Sequence, residues 1–173
     1  MKKIPVFILF LICFYAEAQE NTTDNFPPPE TPLSISASKT NSVITVDGRL
    51  NEADWNLAEP VTDFFRVEPV QGGTITSPTE VRVLFDDKNI YFGVFAKDSL
   101  GKKGIRMQDL SRDFNGLEND VFGIQIDAQN TKQYAVSFQT TPYGNQQDLQ
   151  SFNDNNRDED WNALWRVRTQ RTD

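Results

Sequence analysis

The sequence has no histidine and a single cysteine, and its basic residues are outnumbered by its acidic ones. Each shortage removes a class of chemistry. Without histidine there is no Ser-His-Asp or Cys-His nucleophile system, and the usual zinc sites are gone. Lys plus Arg number 17 against 25 Asp plus Glu, a formal net charge of −8. A nucleic-acid binder needs a basic face that displaces counterions, so that class is set aside. The longest apolar run, residues 4–15, falls short of the roughly 20 residues that span a bilayer as a helix. What remains is carboxylate chemistry, metals with oxygen ligands, and binding by aromatic and amide side chains. At 173 residues the chain holds one ordinary domain and hardly two. Its 38% hydrophobic content supports a packed core and is too high for a disordered acidic chain.

The N-terminus reads as an address. Lys2 and Lys3 precede the apolar run, and Ala16-Glu17-Ala18 fits a signal-peptidase site, with cleavage after Ala18. Anchoring through Cys13 is the rival, but a lipoprotein signal wants a small residue where Ile12 stands. Cleavage removes Lys2, Lys3 and Glu17, so the net charge moves from −8 to −9 and no cysteine is left. Such an exported domain relies on its hydrophobic core rather than on disulfides. Residues 19–32, with Pro27-Pro28-Pro29, read as an extended linker. The folded module is expected over residues 33–173.

From Leu33 on the pattern is mostly strand. Residues 43–46 are β-branched and end at Asp47-Gly48, a strong turn pair. Residues 51–55 read as one helical turn capped by Asn51, with Trp55 laid on the sheet. Residues 81–85 and 90–96, around Asp86-Asp87-Lys88-Asn89, predict a hairpin, and the second run is apolar on both faces, as a central strand is. Residues 97–119 are irregular, with room for a short helix around Met107. Alternation at 122–126 and 134–138 predicts a second hairpin. Further strands are expected at 146–152 and 161–169, separated by a polar loop at 153–160. This succession predicts an all-β fold, an antiparallel, jelly-roll-like β-sandwich with one short helical turn near 51–55. The chain stops at Asp173 straight after a strand-like run, which reads as a domain whose C-terminal end continues.

Several segments resemble a known family. Ile44-Thr45-Val46-Asp47-Gly48-Arg49-Leu50-Asn51-Glu52-Ala53-Asp54-Trp55 is similar to the opening "I-x-V-D-G-x-L-x-E-x-x-W" of family 9 carbohydrate-binding modules. Residues 79–94 resemble that family's first hairpin, and residues 119–127 its "D-x-V-x-I-x-L-D" strand. Residues 134–144, with Asp148 and then Asp160-Trp161-Asn162-Ala163-Leu164-Trp165, resemble the N-terminal module of large secreted proteins of the Bacteroidetes type. There such a module precedes a region that looks like an outer-membrane β-barrel. The resemblance implies a β-sandwich that binds sugars between aromatic rings and carries calcium. It also implies a periplasmic, outer-membrane or cell-surface location, and a C-terminal barrel region as a possible partner.

Three sites compete. The first binds a glycan. Sugar rings present apolar C–H faces that stack on flat aromatics, while amides and charged groups take the hydroxyls. Trp161 and Trp165 are the stacking candidates, with Asp160, Asn162 and Arg112 as polar partners. On a strand, positions four apart share a face, so both rings can equally point into the core. The second site holds calcium. Asp154, Asn156 and Asp158 match an EF-hand start, but Glu159 stands where the turn glycine belongs and Trp165 where the bidentate Glu belongs. A family-style site would use Asp113, Asp120 or Asp127, although these acids read more readily as strand-end turn residues on a solvated surface. The third site is a glycosidase carboxylate pair; no motif singles one out. A non-catalytic carbohydrate-binding module is therefore the leading expectation. The alternatives are an interaction or assembly domain without sugar binding and a glycoside hydrolase fragment.

Overall fold

A computed structural model describes residues 33–68, 72, 75–153 and 156–172. The expected signal peptide (1–18) and linker (19–32) lie outside the described residues, as do Asp154 and Asn155. The fold is all-β and sandwich-like, built from two sheets with only short 3-10 turns besides. Among the described residues no helix is long and apolar enough to cross a membrane.

The first sheet has three strands, β1 (Ala37–Lys39), β2 (Thr79–Phe85) and β3 (Ile90–Ala96), in that order. β2 and β3 form the expected hairpin, in register from Thr79↔Ala96 to Phe85↔Ile90. Its turn is built by one carboxylate. Asp86 accepts the backbone N–H groups of Lys88 and Asn89, each at 2.7 Å, and the Tyr91 hydroxyl at 2.7 Å. These bonds, the Tyr91 hydroxyl foremost, hold the Asp86 carboxyl far below its ordinary value of 3.8. The same contact raises the Tyr91 phenol above 10.0.

A 3-10 turn, Ala53–Leu57, covers one face of this sheet. Its Trp55 is buried, 6% exposed, and lies on Gly93, where a Cβ would stand 2.7 Å from the indole Cζ3. Gly93 is opposite Arg82, whose Nη1 donates to the carbonyls of Trp55 at 3.2 Å and Ala58 at 2.7 Å. Ile44, Trp55, Ala58 and Leu84 form the buried cluster, with Tyr91 packed against it. Asn51 does not cap the turn: the N-cap is Glu52, and its side chain makes no cap bond. Its carboxylate instead accepts the Thr45 N–H at 2.9 Å and the Trp55 indole N–H at 3.0 Å. One acid thereby ties the segment before the turn to the ring that seals the sheet.

The second sheet runs β4 (Phe122–Ile126), β5 (Tyr134–Thr140), β6 (Gln146–Phe152), β7 (Asn156–Asp158), antiparallel throughout. The expected polar loop at 153–160 thus contains a strand, three exposed residues long and paired to β6. Other expectations also need correcting. Residues 43–46 form no ladder, because β-branching favours a pleated surface without supplying a partner. Residues 161–169 form none either. Near Met107 there is no helix, only a 3-10 turn at Gly101–Lys103. β3 lies at the edge of its sheet rather than at the centre, and Ile90 and Phe95 are more than half exposed.

Candidate functional site

The register of the second sheet sets Ile124, Phe138 and Asp148 side by side, since Ile124↔Phe138 and Phe138↔Asp148 are direct partners. On β4 and β5 this is the apolar face that alternation predicts, whereas β6 contributes Gln146, Asp148 and Gln150 to it. Residues 161–165 cross over it. Trp161 meets the Phe138 ring edge-on, with centroids 6.2 Å apart, and Trp165 does so at 5.3 Å. Both indoles are half-buried. Each therefore has an edge committed to packing and part of its surface open. Both point to the same side, as their four-residue spacing requires.

Asp148 explains how the segment is held. It is 1% exposed. One of its oxygens accepts from Arg112 Nη2 and the other from the backbone N–H of Ala163, midway between the tryptophans. Arg112 Nη2 also donates to Asn162 Oδ1 at 2.9 Å, and its Nε lies 3.7 Å from Asp113. Gln146 Nε2 donates to the Trp165 carbonyl at 3.2 Å. Asn162 Nδ2 donates to the Asp160 carbonyl at 2.8 Å. The result is an aromatic shelf beside a polar rim of Arg112 and Asn162, both held by the buried Asp148 network. The Trp165 indole N–H is buried with no acceptor among the described residues. An orphaned buried donor costs about 1–3 kcal/mol.

Of the glycan candidates, Trp161, Trp165, Asn162 and Arg112 come together here, and Asp160 meets Asn162 through its backbone carbonyl alone. Sequence reasoning left Phe138, Gln146 and Asp148 out of the site. Asp148 left no legible signal: the one aliphatic residue of its strand, Leu149, lies on the opposite face, so only the pairing with Phe138 shows where the acid sits.

The three acids considered for calcium do not share a site. Asp120 and Asp127 flank opposite ends of β4, about 20 Å apart for a strand of that length. Asp120 accepts the Arg106 N–H at 2.8 Å. Asp127 closes its own loop by accepting the N–H groups of Gln129 at 3.1 Å and Lys132 at 2.6 Å. The Lys132 bond is the chief cause holding the Asp127 carboxyl below its ordinary value. Asp113 sits beside Arg112. Among the described residues no three acidic side chains are grouped to hold a metal ion. This donor set does not fit a calcium centre.

Two β-sheets with an aromatic shelf on one sheet place the molecule among the β-sandwich modules. More narrowly, the chain belongs to the carbohydrate family 9 binding domain-like family, whose model matches residues 46–173. No curated protein and no solved structure was found to match it.

Proposed function

We propose that the chain is an exported, non-catalytic carbohydrate-binding module, the N-terminal part of a larger envelope protein that handles polysaccharide. The observation that carries this reading is the half-open pair of Trp161 and Trp165 beside Arg112 and Asn162, in a chain of this family. A pyranose stacks its C–H face on the open indole surface while the guanidinium and amide take hydroxyls. Each hydroxyl exchanges water for a protein partner, so affinity per sugar is modest. Affinity electrophoresis through gels containing different polysaccharides tests the proposal. At least one gel is expected to retard the chain, and Trp161→Ala to move freely through it. Uniform mobility in every gel refutes it.

A second reading rests on the inward turn of both tryptophans. If their rings serve packing alone, the module is an interaction domain, docking for instance on a barrel region of its own protein. It then binds no glycan, and Trp161→Ala changes stability only.

A further inference from the structure

Burial along residues 161–170 alternates strictly. Trp161, Ala163, Trp165, Val167 and Thr169 are half-buried, and the residues between them are exposed. A period of two is that of an extended chain. Arg166 and Arg168 therefore leave the segment on one side, about 7 Å apart, opposite to the tryptophans. There they line a groove of about 440 Å³ together with Val43, Ile44, Thr45 and Val46. The far end of the segment is pinned close to residue 48: a Cβ at Gly48, whose φ is +85°, would stand 2.8 Å from the Thr169 carbonyl carbon.

The charge in this groove is unusual for the chain. No carboxylate lines it. Among the described residues neither arginine has an ion-pair partner. Arg168 Nη1 donates only to the adjacent Val167 carbonyl, at 2.7 Å. Two guanidinium groups stand without an ion-pair partner among the described residues, in a chain of net charge −8, while the Glu52 carboxylate at the Thr45 N–H is engaged by that N–H and the Trp55 indole. Guanidinium forks match the planar oxygens of carboxylates and the oxygens of sulfate esters, and hold them with paired charge-assisted bonds. Val43, 88% exposed, and Val46, 41% exposed, offer apolar contact beside them.

We infer that this groove is a subsite for an acidic sugar unit, a pyranose bearing a carboxylate or a sulfate ester. Arg166 and Arg168 take the anionic group, and Val43 and Val46 meet the C–H groups of the ring. The inference rests on the carbohydrate-binding reading and narrows its ligand class. Because the groove is open to solvent, the attraction is short-ranged and screened by salt.

The test is calorimetry on the full chain with an oligogalacturonate, a sulfated galactan oligosaccharide, a neutral gluco-oligosaccharide and a poly-glutamate peptide. At least one acidic saccharide is expected to bind, at least tenfold more weakly after combined Arg166→Gln and Arg168→Gln, and more weakly as sodium chloride is raised. Whether the carboxylated or the sulfated ligand responds identifies the anionic group. Combined Arg166→Lys and Arg168→Lys is expected to keep part of the binding, and circular dichroism checks that each variant is folded. Binding of the neutral saccharide is expected to be unchanged by the Gln pair and lost in Trp161→Ala. The inference is overturned if no acidic saccharide binds, if the Gln pair binds it as tightly as the parent, or if only the peptide binds. Neutral binding that persists while acidic binding is absent removes this subsite alone. Absence of both removes the carbohydrate reading as well.

Discussion

Asp148 offers a sharp mechanical test, because it joins the second sheet to the tryptophan segment. Its side chain is fully buried, whereas that of Arg112 is 41% exposed. The two ends of the pair therefore respond differently to truncation. Asp148→Ala removes two charge-assisted hydrogen bonds, to Arg112 and to the Ala163 N–H, each worth about 1.5–3 kcal/mol. The freed guanidinium recovers water, which reduces its share to about 0–1 kcal/mol. A net loss of about 2–4 kcal/mol is expected. Arg112→Ala instead strands a buried carboxylate with a single N–H partner and is expected to cost about 3–5 kcal/mol. Asp148→Asn keeps an acceptor for Ala163 but turns its NH2 toward the Arg112 guanidinium, so it loses the charge and one hydrogen bond, about 1.5–3 kcal/mol. Urea unfolding followed by tryptophan fluorescence gives the three values. Acrylamide quenching of the native variants reports the position of Trp161 and Trp165, which are expected to become more accessible in Asp148→Ala. Equal costs for Arg112→Ala and Asp148→Asn, or unchanged quenching in Asp148→Ala, would refute this reasoning.

Three further outcomes are expected. Gly93→Ala brings a Cβ to 2.7 Å and 2.9 Å from the Trp55 ring and 3.0 Å from Leu50, and this overpacking costs about 1–3 kcal/mol in thermal or urea unfolding. Acid unfolding has a contribution from Asp86: its carboxyl is depressed in the fold, so the stabilisation is complete above the ordinary value of 3.8 and is lost as pH falls below it. Tyr91 is raised, so its share is complete below 10.0 and is lost as pH rises through the elevated value; Asp86→Asn is expected to flatten both limbs of the stability–pH curve. Glu52→Gln keeps only one of the two oxygens that accept from the Thr45 N–H and the Trp55 indole, and is expected to lower the urea midpoint by less than Trp55→Ala does.

Where hydrophobic alternation and turn chemistry agree, the sequence is legible. The β2–β3 hairpin follows from Val81, Val83 and Phe85 and the Asp86–Asn89 turn, and β4 and β5 follow from their alternating Ile, Val and Phe positions. Elements defined by a distant partner are not legible. β1 is only Ala37–Lys39, and it is a strand solely because it lies parallel to Val83–Phe85. β7 is Asn156–Asp158, exposed throughout, and pairing with β6 alone makes it a strand. Conversely, residues 43–46 have the propensity and no partner, so they line a groove instead of joining a sheet. The same division holds at the site. Trp161 and Trp165 stand out as residue types, and their shared direction follows from their spacing. That they meet on Phe138, tethered through Asp148 and Arg112, depends on contacts across 36 residues of chain and is visible only in the fold.

The most direct measurement is isothermal titration of an oligosaccharide cut from the retarding polysaccharide into the parent chain and into Trp161→Ala, each with its fold checked by circular dichroism. A carbohydrate module that stacks sugar on this shelf is expected to bind in the parent, and about tenfold or more weakly in the variant, a change of about 1.4 kcal/mol or more. Equal affinities in the two proteins would contradict the shelf as the binding face, and no heat from any glycan in the parent would contradict carbohydrate binding itself.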